Sequence, residues 1–189
     1  MQEKDMFLRN EKLLFNLLTA IFFLFPNKSF SKTDDKVKAL NHLNSLQYFS
    51  ASFLQNDGEN ISEGKVYIGK ERVRAEYIFP TKILIILDKD KAMYYNYELE
   101  EDEFFNPKDT NAWFFYDVFR NPLFFENSQA EIKNGELIIE KMGVNREEIN
   151  YVIRVYFEIN PLVLRGVDVV IDNNILKLSI YNHNYNEEF

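Results

Sequence analysis

The sequence contains no cysteine. It therefore offers no disulfide framework, no thiolate nucleophile, no thiolate ligand for a metal and no cysteine for lipid attachment. Glycine is scarce, with six residues, and only two histidines occur. None of the familiar phosphate-binding, nucleophile-elbow or metalloprotease motifs is present. We therefore expect a binding protein rather than an enzyme, with no cofactor and no metal.

Basic residues are also in short supply, because the 30 acidic residues exceed the 22 basic ones and give a net charge of −8. A chain with this charge repels nucleic-acid phosphates, so we expect no nucleic-acid partner. Aromatic residues, in contrast, make up 16% of the chain. Aromatic rings cover a large area at low entropic cost, which suits a large core or a cavity that faces lipid.

Residues 13–25, LLFNLLTAIFFLF, form an apolar run that is shorter than the roughly 20 residues needed to span a bilayer as a helix. A run of this length is typical of the hydrophobic region of a signal peptide. The small residues Ser29 and Ser31 predict cleavage after Ser31 and export of the rest of the chain. Residues 1–31 are therefore interpreted as a signal peptide and 32–189 as a single domain. An uncleaved membrane anchor is the alternative.

The rest of the chain changes from helical to extended patterning. Residues 32–47 have apolar spacing typical of a helix, which Thr33 or Asp34 can cap. Period-two or apolar segments then predict strands at 48–55, 64–70, 72–79, 82–88, 92–97, 136–141, 151–159, 163–171 and 176–182. The acidic run at 98–102 is interpreted as a solvated turn, and residues 109–119 as a short aromatic helix. Short connections predict an antiparallel sheet that curls, which makes the fold class α+β and mainly β.

The segment YFSASFLQ, residues 48–55, places Phe49, Ala51 and Phe53 on one face and two serines on the other. The alternation fits a packed core, and it equally fits a concave apolar surface that receives a ligand. The next two strands extend the same face. The candidate cavity residues are Phe49, Ala51, Phe53, Val66, Ile68, Val73, Ala75, Tyr77 and Phe79.

Several of these positions resemble the periplasmic lipoprotein-carrier family of the LolA type. That family has a strand of the form Phe-x-Ala-x-Phe-x-Gln, a strand led by glycine, a strand that ends in Tyr-x-x-Pro, and an Asp-Gly turn eight residues later. The glycine of that turn is replaced by Lys89 in this chain. The matching residues here are Phe49, Ala51, Phe53, Gln55, Gly64, Tyr77, Pro80 and Asp88, followed by Tyr95, Asn96 and Leu99. Residues 160–182 resemble the family's closing hairpin, so the resemblance covers roughly residues 37–182.

The resemblance implies a strongly curved antiparallel sheet, an open half-barrel, covered by short helices. It implies that the aromatic helix acts as a lid through Trp113, Phe114 and Phe115. The family carries an Arg-Pro pair after its second strand, and that arginine resembles a latch for the lid. This chain has Lys70-Glu71 there instead. Lys70 is the positional candidate for the latch, and Arg72 and Arg74 are the chemical ones.

The function implied by the resemblance is that of a periplasmic carrier, which we expect to be a monomer. It would take acylated lipoproteins from the inner-membrane release complex and pass them to an outer-membrane acceptor. Two alternatives stay open. One is a membrane-anchored envelope sensor or scaffold that uses the half-barrel to bind a protein partner, and the other is a carrier of a non-protein lipid.

Overall fold

The computed structural model describes residues 32–145, 147–172 and 174–186. The segment interpreted as a signal peptide lies outside the described residues. Within them the chain forms two α-helices, α1 (Lys32–Ser45) and α2 (Trp113–Arg120), and a short 3-10 helix, Pro107–Asp109. The strands are β1 (Phe49–Asn56), β2 (Ile61–Ile68), β3 (Val73–Phe79), β4 (Ile83–Leu87), β5 (Ala92–Asn96), β6 (Glu101–Phe105), β7 (Gln129–Lys133), β8 (Glu136–Val144), β9 (Asn150–Glu158), β10 (Val163–Ile171) and β11 (Asn174–Asn184).

All eleven described strands belong to one antiparallel sheet that is not closed into a barrel. Its order is β6-β5-β4-β3-β2-β1-β11-β10-β9-β8-β7, so neighbours in space are neighbours in sequence except at one place. There the first strand pairs with the last, with Phe53 opposite Ile180. This arrangement confirms the predicted fold class, a mainly β half-barrel with two short helices on its concave face.

The nine predicted strands are present with small changes in their ends, but two strands were not predicted. The acidic run at 98–102 is a turn only as far as Glu100, because β6 begins at Glu101. β7 was also missed. Both are edge strands whose side chains are mostly exposed, so neither shows the alternation of apolar and polar residues that marks a half-buried strand.

Helix α1 buries Ala39 and Leu43 against the sheet, together with Leu46 just after the helix, while Val37 is half exposed. Since α1 begins at Lys32, both predicted capping residues, Thr33 and Asp34, lie inside it. Asp34 instead accepts a hydrogen bond from Lys38, one turn later. The buried positions follow the i, i+4 spacing of a helix that lies on a surface.

The opening segment of the sheet lies at the centre of the core. Phe49, Ala51 and Phe53 are each at most 1% exposed. Gly64 on β2 lies directly under the Phe53 ring, because a Cβ atom there would meet that ring at 2.5 Å and the Glu76 carbonyl oxygen at 2.3 Å. The absence of a side chain at Gly64 is therefore what allows the large Phe53 ring to fold down onto the neighbouring strand.

Candidate functional site

A small apolar cavity of about 80 Å³ lies between the concave face of the sheet and α2. Five of the predicted cavity residues line it: Phe53, Val66, Val73, Ala75 and Tyr77. The wall is completed by Ile85, Leu87, Val167, Leu178 and Ile180 from other strands. Strand periodicity explains why these residues converge, since alternate side chains of each strand point to the same face.

The roof of the cavity is formed by Ala112, Phe115 and Phe119. Phe115 and Phe119 are four residues apart and so lie on one face of α2. Val118 and Phe114 are buried against the core as well. This short helix is thus held to the sheet mainly by apolar packing.

Four of the predicted cavity residues do not line this cavity. Phe49, Ala51 and Ile68 are completely buried elsewhere in the core. Phe79 is 54% exposed, and it follows a register irregularity between β2 and β3 at Glu63/Gly64. A bulge interrupts the alternation of side chains between the two faces of a strand. The period-two prediction therefore fails at Phe79, the last residue of β3.

Of the three predicted lid residues, only Phe115 faces the cavity. The Trp113 ring packs against Tyr151, with ring centroids 5.2 Å apart, and against Phe124 at 5.9 Å. Phe114 is 3% exposed and contacts Phe115. Successive residues of an α-helix point about 100° apart, so three consecutive aromatic residues cannot share one cavity.

Two of the three latch candidates, Arg72 and Arg74, pair with carboxylates of the sheet and its loops. Arg72 lies 3.7 Å from Asp88 in an exposed pair at the rim of the sheet. Arg74 pairs with Glu76 and lies over the Tyr67 ring, which is the convex side of the sheet, because Val73 and Ala75 occupy the concave side. Lys70 is exposed in the turn between β2 and β3.

Arg120, which sequence reasoning did not select, connects α2 to the rest of the fold. Its guanidinium donates a hydrogen bond to the carbonyl oxygen of Leu46, just beyond the end of α1. Its Nε is buried without a partner among the described residues. Burial lowers the pKa of Arg120 to about 10, so the side chain stays charged at neutral pH. From the sequence, Arg120 is only a basic residue in the last turn of a helix.

Tyr77 supplies the polar group nearest to the cavity. Its hydroxyl donates a hydrogen bond to Gln55 Oε1 over 2.8 Å, and burial raises the pKa of Tyr77 to about 12. The Tyr77 ring meets Phe53 edge to face, with centroids 5.0 Å apart. Because the hydroxyl proton is already donated to Gln55, this side chain presents no free hydrogen-bond donor to a ligand in the cavity.

A second and much larger space, about 1130 Å³, opens on the other side of α2, and we call it the groove. It is lined by Lys89, Pro107, Lys108, Asp109, Thr110, Asn111, Trp113, Tyr116, Asp117, Arg120, Asn121, Pro122, Phe124, Val144, Asn145, Glu147 and Tyr151. Three of these side chains are cationic and three are acidic. Burial raises the pKa of Asp117 and also that of Tyr151, which Asp117 raises further.

The two histidines of the chain lie close together, on either side of Tyr185. The His42 ring on α1 is 6.0 Å from the Tyr185 ring, and Tyr185 stacks on His183 at 6.3 Å. His183 Nε2 is 2.6 Å from the Leu164 carbonyl oxygen. Burial lowers the pKa of His42, and His183 lowers it further. These contacts hold the C-terminal end of β11 beneath α1.

Two further features of the described residues bear on function. In the ranges 32–145, 147–172 and 174–186, no group of three or more histidine, aspartate or glutamate side chains is arranged to hold a metal ion. No helix in that part of the chain is long and apolar enough to cross a membrane.

Comparison with known proteins gives structural likeness without sequence likeness. No family model and no curated protein matches the sequence. An uncharacterized conserved protein from Thermus thermophilus matches with a TM-score of 0.50 and 10% identity, over 84% of this chain and 90% of that one. At this identity the likeness concerns the fold alone.

Structures of MucB match less closely. MucB in complex with MucA(peri) gives a TM-score of 0.45 and 9% identity over 82% of this chain. The Pseudomonas aeruginosa MucA/MucB complex gives 0.47 and 9% over 81%. The chain spans 55% and 56% of the matched chains, respectively, and thus little more than half of their length.

Proposed function

We propose that this protein is an exported, non-catalytic carrier that holds the acyl chains of a lipoprotein between the concave face of its sheet and α2. The observation that carries the proposal is the apolar cavity under a helix of only two turns. Burial of an acyl chain is driven by the hydrophobic effect, worth about 0.8 kcal/mol per methylene. The side chains of the sheet and of α2 that line the cavity provide an apolar environment for such a chain.

The cavity is small in its present form. Ligand pockets usually measure roughly 300–1,000 Å³, whereas this one measures about 80 Å³. An acyl chain therefore enters only if α2 moves away from the sheet. That movement carries the side chains of Phe115 and Phe119 out of the cavity. The acyl chain then replaces the apolar contacts between these two side chains and the sheet. The carrier thus exchanges one apolar partner for another, which keeps loading and release close in free energy.

In this proposal residues 1–31 direct export and are removed after Ser31, so that the carrier works in the periplasm. It receives acylated lipoproteins from an inner-membrane release complex and passes them to an outer-membrane acceptor. Transfer then needs only an acceptor whose cavity binds the acyl chains slightly better. A monomer is sufficient for this exchange, because both walls of the cavity come from one chain.

The direct test is mass spectrometry of molecules that copurify with the exported protein, together with N-terminal sequencing. We expect acylated lipoproteins or their lipid-modified N-terminal peptides, and a chain that begins near Lys32. A photo-crosslinking residue at Ile85, in the cavity wall, should capture acyl chains. The same residue at Ser52, on the other face of β1, is the matched control. An empty protein, or equal capture at both positions, would contradict the proposal.

The groove favours a second candidate function, recognition of a protein partner. Interfaces with proteins combine aromatic side chains with charged and polar groups at their rim. Trp113, Tyr116, Phe124 and Tyr151 provide the rings, and charges of both signs surround them. A photo-crosslinking residue at Asn145 tests this function. Capture of protein at Asn145 without capture of lipid at Ile85 would favour a sensor or scaffold over the carrier.

A further inference from the structure

The two edge strands of the sheet, β7 and β6, have different surroundings. At one edge α1 packs against β7, and Lys36 Nζ donates a hydrogen bond to the carbonyl oxygen of Ser128, immediately before that strand. At the other edge, β6 pairs only with β5 among the described strands. The outer side of β6 therefore presents a row of backbone N–H and C=O groups, which is a template for pairing with another strand.

The register with β5 determines which side chains flank this template. Glu101 and Glu103 lie opposite Asn96 and Tyr94, on the concave side, while Phe104 lies opposite Met93 on the convex side. Asp102 shares the convex side with Phe104. β6 thus carries two carboxylates and the partly buried ring of Phe105 on the concave face, and one carboxylate and the exposed ring of Phe104 on the convex face.

Protection of the edge by charge does not account for all of these residues. Charged side chains on an edge strand do discourage unwanted pairing. Phe104, however, is 72% exposed, and Leu99 in the adjoining turn is 63% exposed. An exposed ring on an open strand edge favours aggregation unless a partner covers it, so a purely protective edge would not carry it.

We propose that β6 accepts an extended segment of another protein as a twelfth strand of this sheet. Side chains on an added strand alternate between the two faces. Those on the concave face would lie beside Glu101 and Glu103, and opposite charges on neighbouring strands are favourable. Those on the convex face would lie beside Phe104. The segment that fits is therefore one in which basic residues alternate with apolar residues.

A second copy of this chain does not fit the same edge. Pairing β6 with β6 would bring two sets of three carboxylates, those of Glu101, Asp102 and Glu103, next to each other, and like charges across a strand pair are destabilising. β7 of a second copy, with the sequence QAEIK, offers a single lysine. The carboxylates of β6 thus favour pairing with a basic strand and disfavour pairing with a second copy of this chain. Strand addition at β6 does not depend on what the cavity under α2 holds.

The test uses the exported protein and a short, end-blocked, fluorescent peptide in which lysine alternates with valine. Two controls have the same composition, one with the order scrambled and one N-methylated at alternate residues to prevent strand pairing. We expect the alternating peptide to bind at least about tenfold more tightly than either control, because main-chain pairing supplies much of the affinity in strand addition. Hydrogen exchange at residues 101–105 should slow when it binds.

Charge reversal locates the site. Glu101→Lys/Glu103→Lys should shift the preference to a peptide that alternates glutamate with valine, while Glu131→Lys/Glu136→Lys, in β7 and β8, should leave the original preference unchanged. Equal binding of all three lysine peptides would show attraction by net charge alone and would overturn the proposal. Failure of the alternating peptide to bind, or binding unaffected by reversal at Glu101 and Glu103, would overturn it too.

Discussion

The two faces of α2 border two spaces that differ in size and in polarity. Beneath it lies a small apolar cavity of about 80 Å³, and beside it lies a groove of about 1130 Å³ with charges of both signs. Phe115 and Phe119 face the first, whereas Tyr116 and Asp117 face the second. Because one helix of eight residues separates them, a change of one or two positions along the chain moves a side chain from one environment to the other.

The largest expected effect compares Phe119 with Tyr116, two aromatic residues on opposite faces of α2. Phe119→Ala should lower the free energy of unfolding by about 3–5 kcal/mol, because a buried ring is lost and a void remains. Tyr116→Ala, in the open groove, should cost about 1 kcal/mol or less. Urea unfolding of both variants measures the difference. Equal losses would show that α2 is not held chiefly by its cavity face.

The hydrogen bond between Arg120 and the Leu46 carbonyl oxygen gives the next largest effect. Arg120→Met keeps the length of the side chain but removes the charged donor, so we expect a loss of about 2 kcal/mol in stability. Uptake of a fluorescent fatty acid should become faster, since α2 is then anchored by apolar contacts alone. Stopped-flow fluorescence measures the uptake.

Arg120→Lys retains a donor and should recover part of the loss. Arg165→Met, which removes the exposed pair with Glu158, is the matched control and should change neither quantity appreciably. Unchanged uptake by Arg120→Met would mean that the bond to Leu46 does not restrain α2.

Filling the cavity should change the stability of the protein and its affinity for a fatty acid in opposite directions. Ala75→Val adds two carbon atoms to the wall of the 80 Å³ space. If they fit, stability rises by up to about 1 kcal/mol, while affinity for a fatty acid falls. Ser52→Val, on the convex face of β1, should leave fatty-acid binding unchanged. Calorimetry and fluorescence titration are the measurements, and stronger binding by Ala75→Val would place the acyl site elsewhere.

The smallest effect concerns a charge in the groove. Burial raises the pKa of Asp117 above the ordinary value of 3.8. The folded state thus keeps this proton when the unfolded state has lost it, and the resulting stabilisation is lost as the pH rises through the folded-state pKa. Asp117→Asn should therefore melt higher than the parent at pH 7, with the difference vanishing below about pH 3.8.

Asp109→Asn, which removes a charge from the same groove at an exposed position, is the control for net charge. A melting difference of the same size in both variants, or one for Asp117→Asn that does not change with pH, would contradict burial as the cause.

The sequence allowed the sheet to be predicted better than the contents of its concave side. Alternation in YFSASFLQ correctly placed Phe49, Ala51 and Phe53 on one inward face, because period two is a local property. The alternation could not show which of those residues pack in the core and which line the cavity, because that depends on where α2 lies. The resemblance grouped Trp113, Phe114 and Phe115 as lid residues, although helical geometry turns their side chains in three directions.

The groove and the Arg120 contact could not be predicted because both depend on distant segments. The groove joins residues 107–124 to residues 144–151, and Arg120 reaches a carbonyl 74 positions earlier. β6 was missed for a different reason. A strand at an open edge has no buried face, so its sequence shows charge instead of alternation.

The pairing of the first strand with the last has a consequence for the order of folding. Phe53 on β1 lies opposite Ile180 on β11, so the centre of the sheet forms only when two segments about 127 positions apart meet, as the difference 180 − 53 shows. Closing so long a loop is slow, because its entropy must be lost before the contact forms. A chain emerging from the ribosome cannot complete its core until the final hairpin has been made. Until β11 has been made, β1 is an open edge strand that pairs only with β2 among the described strands.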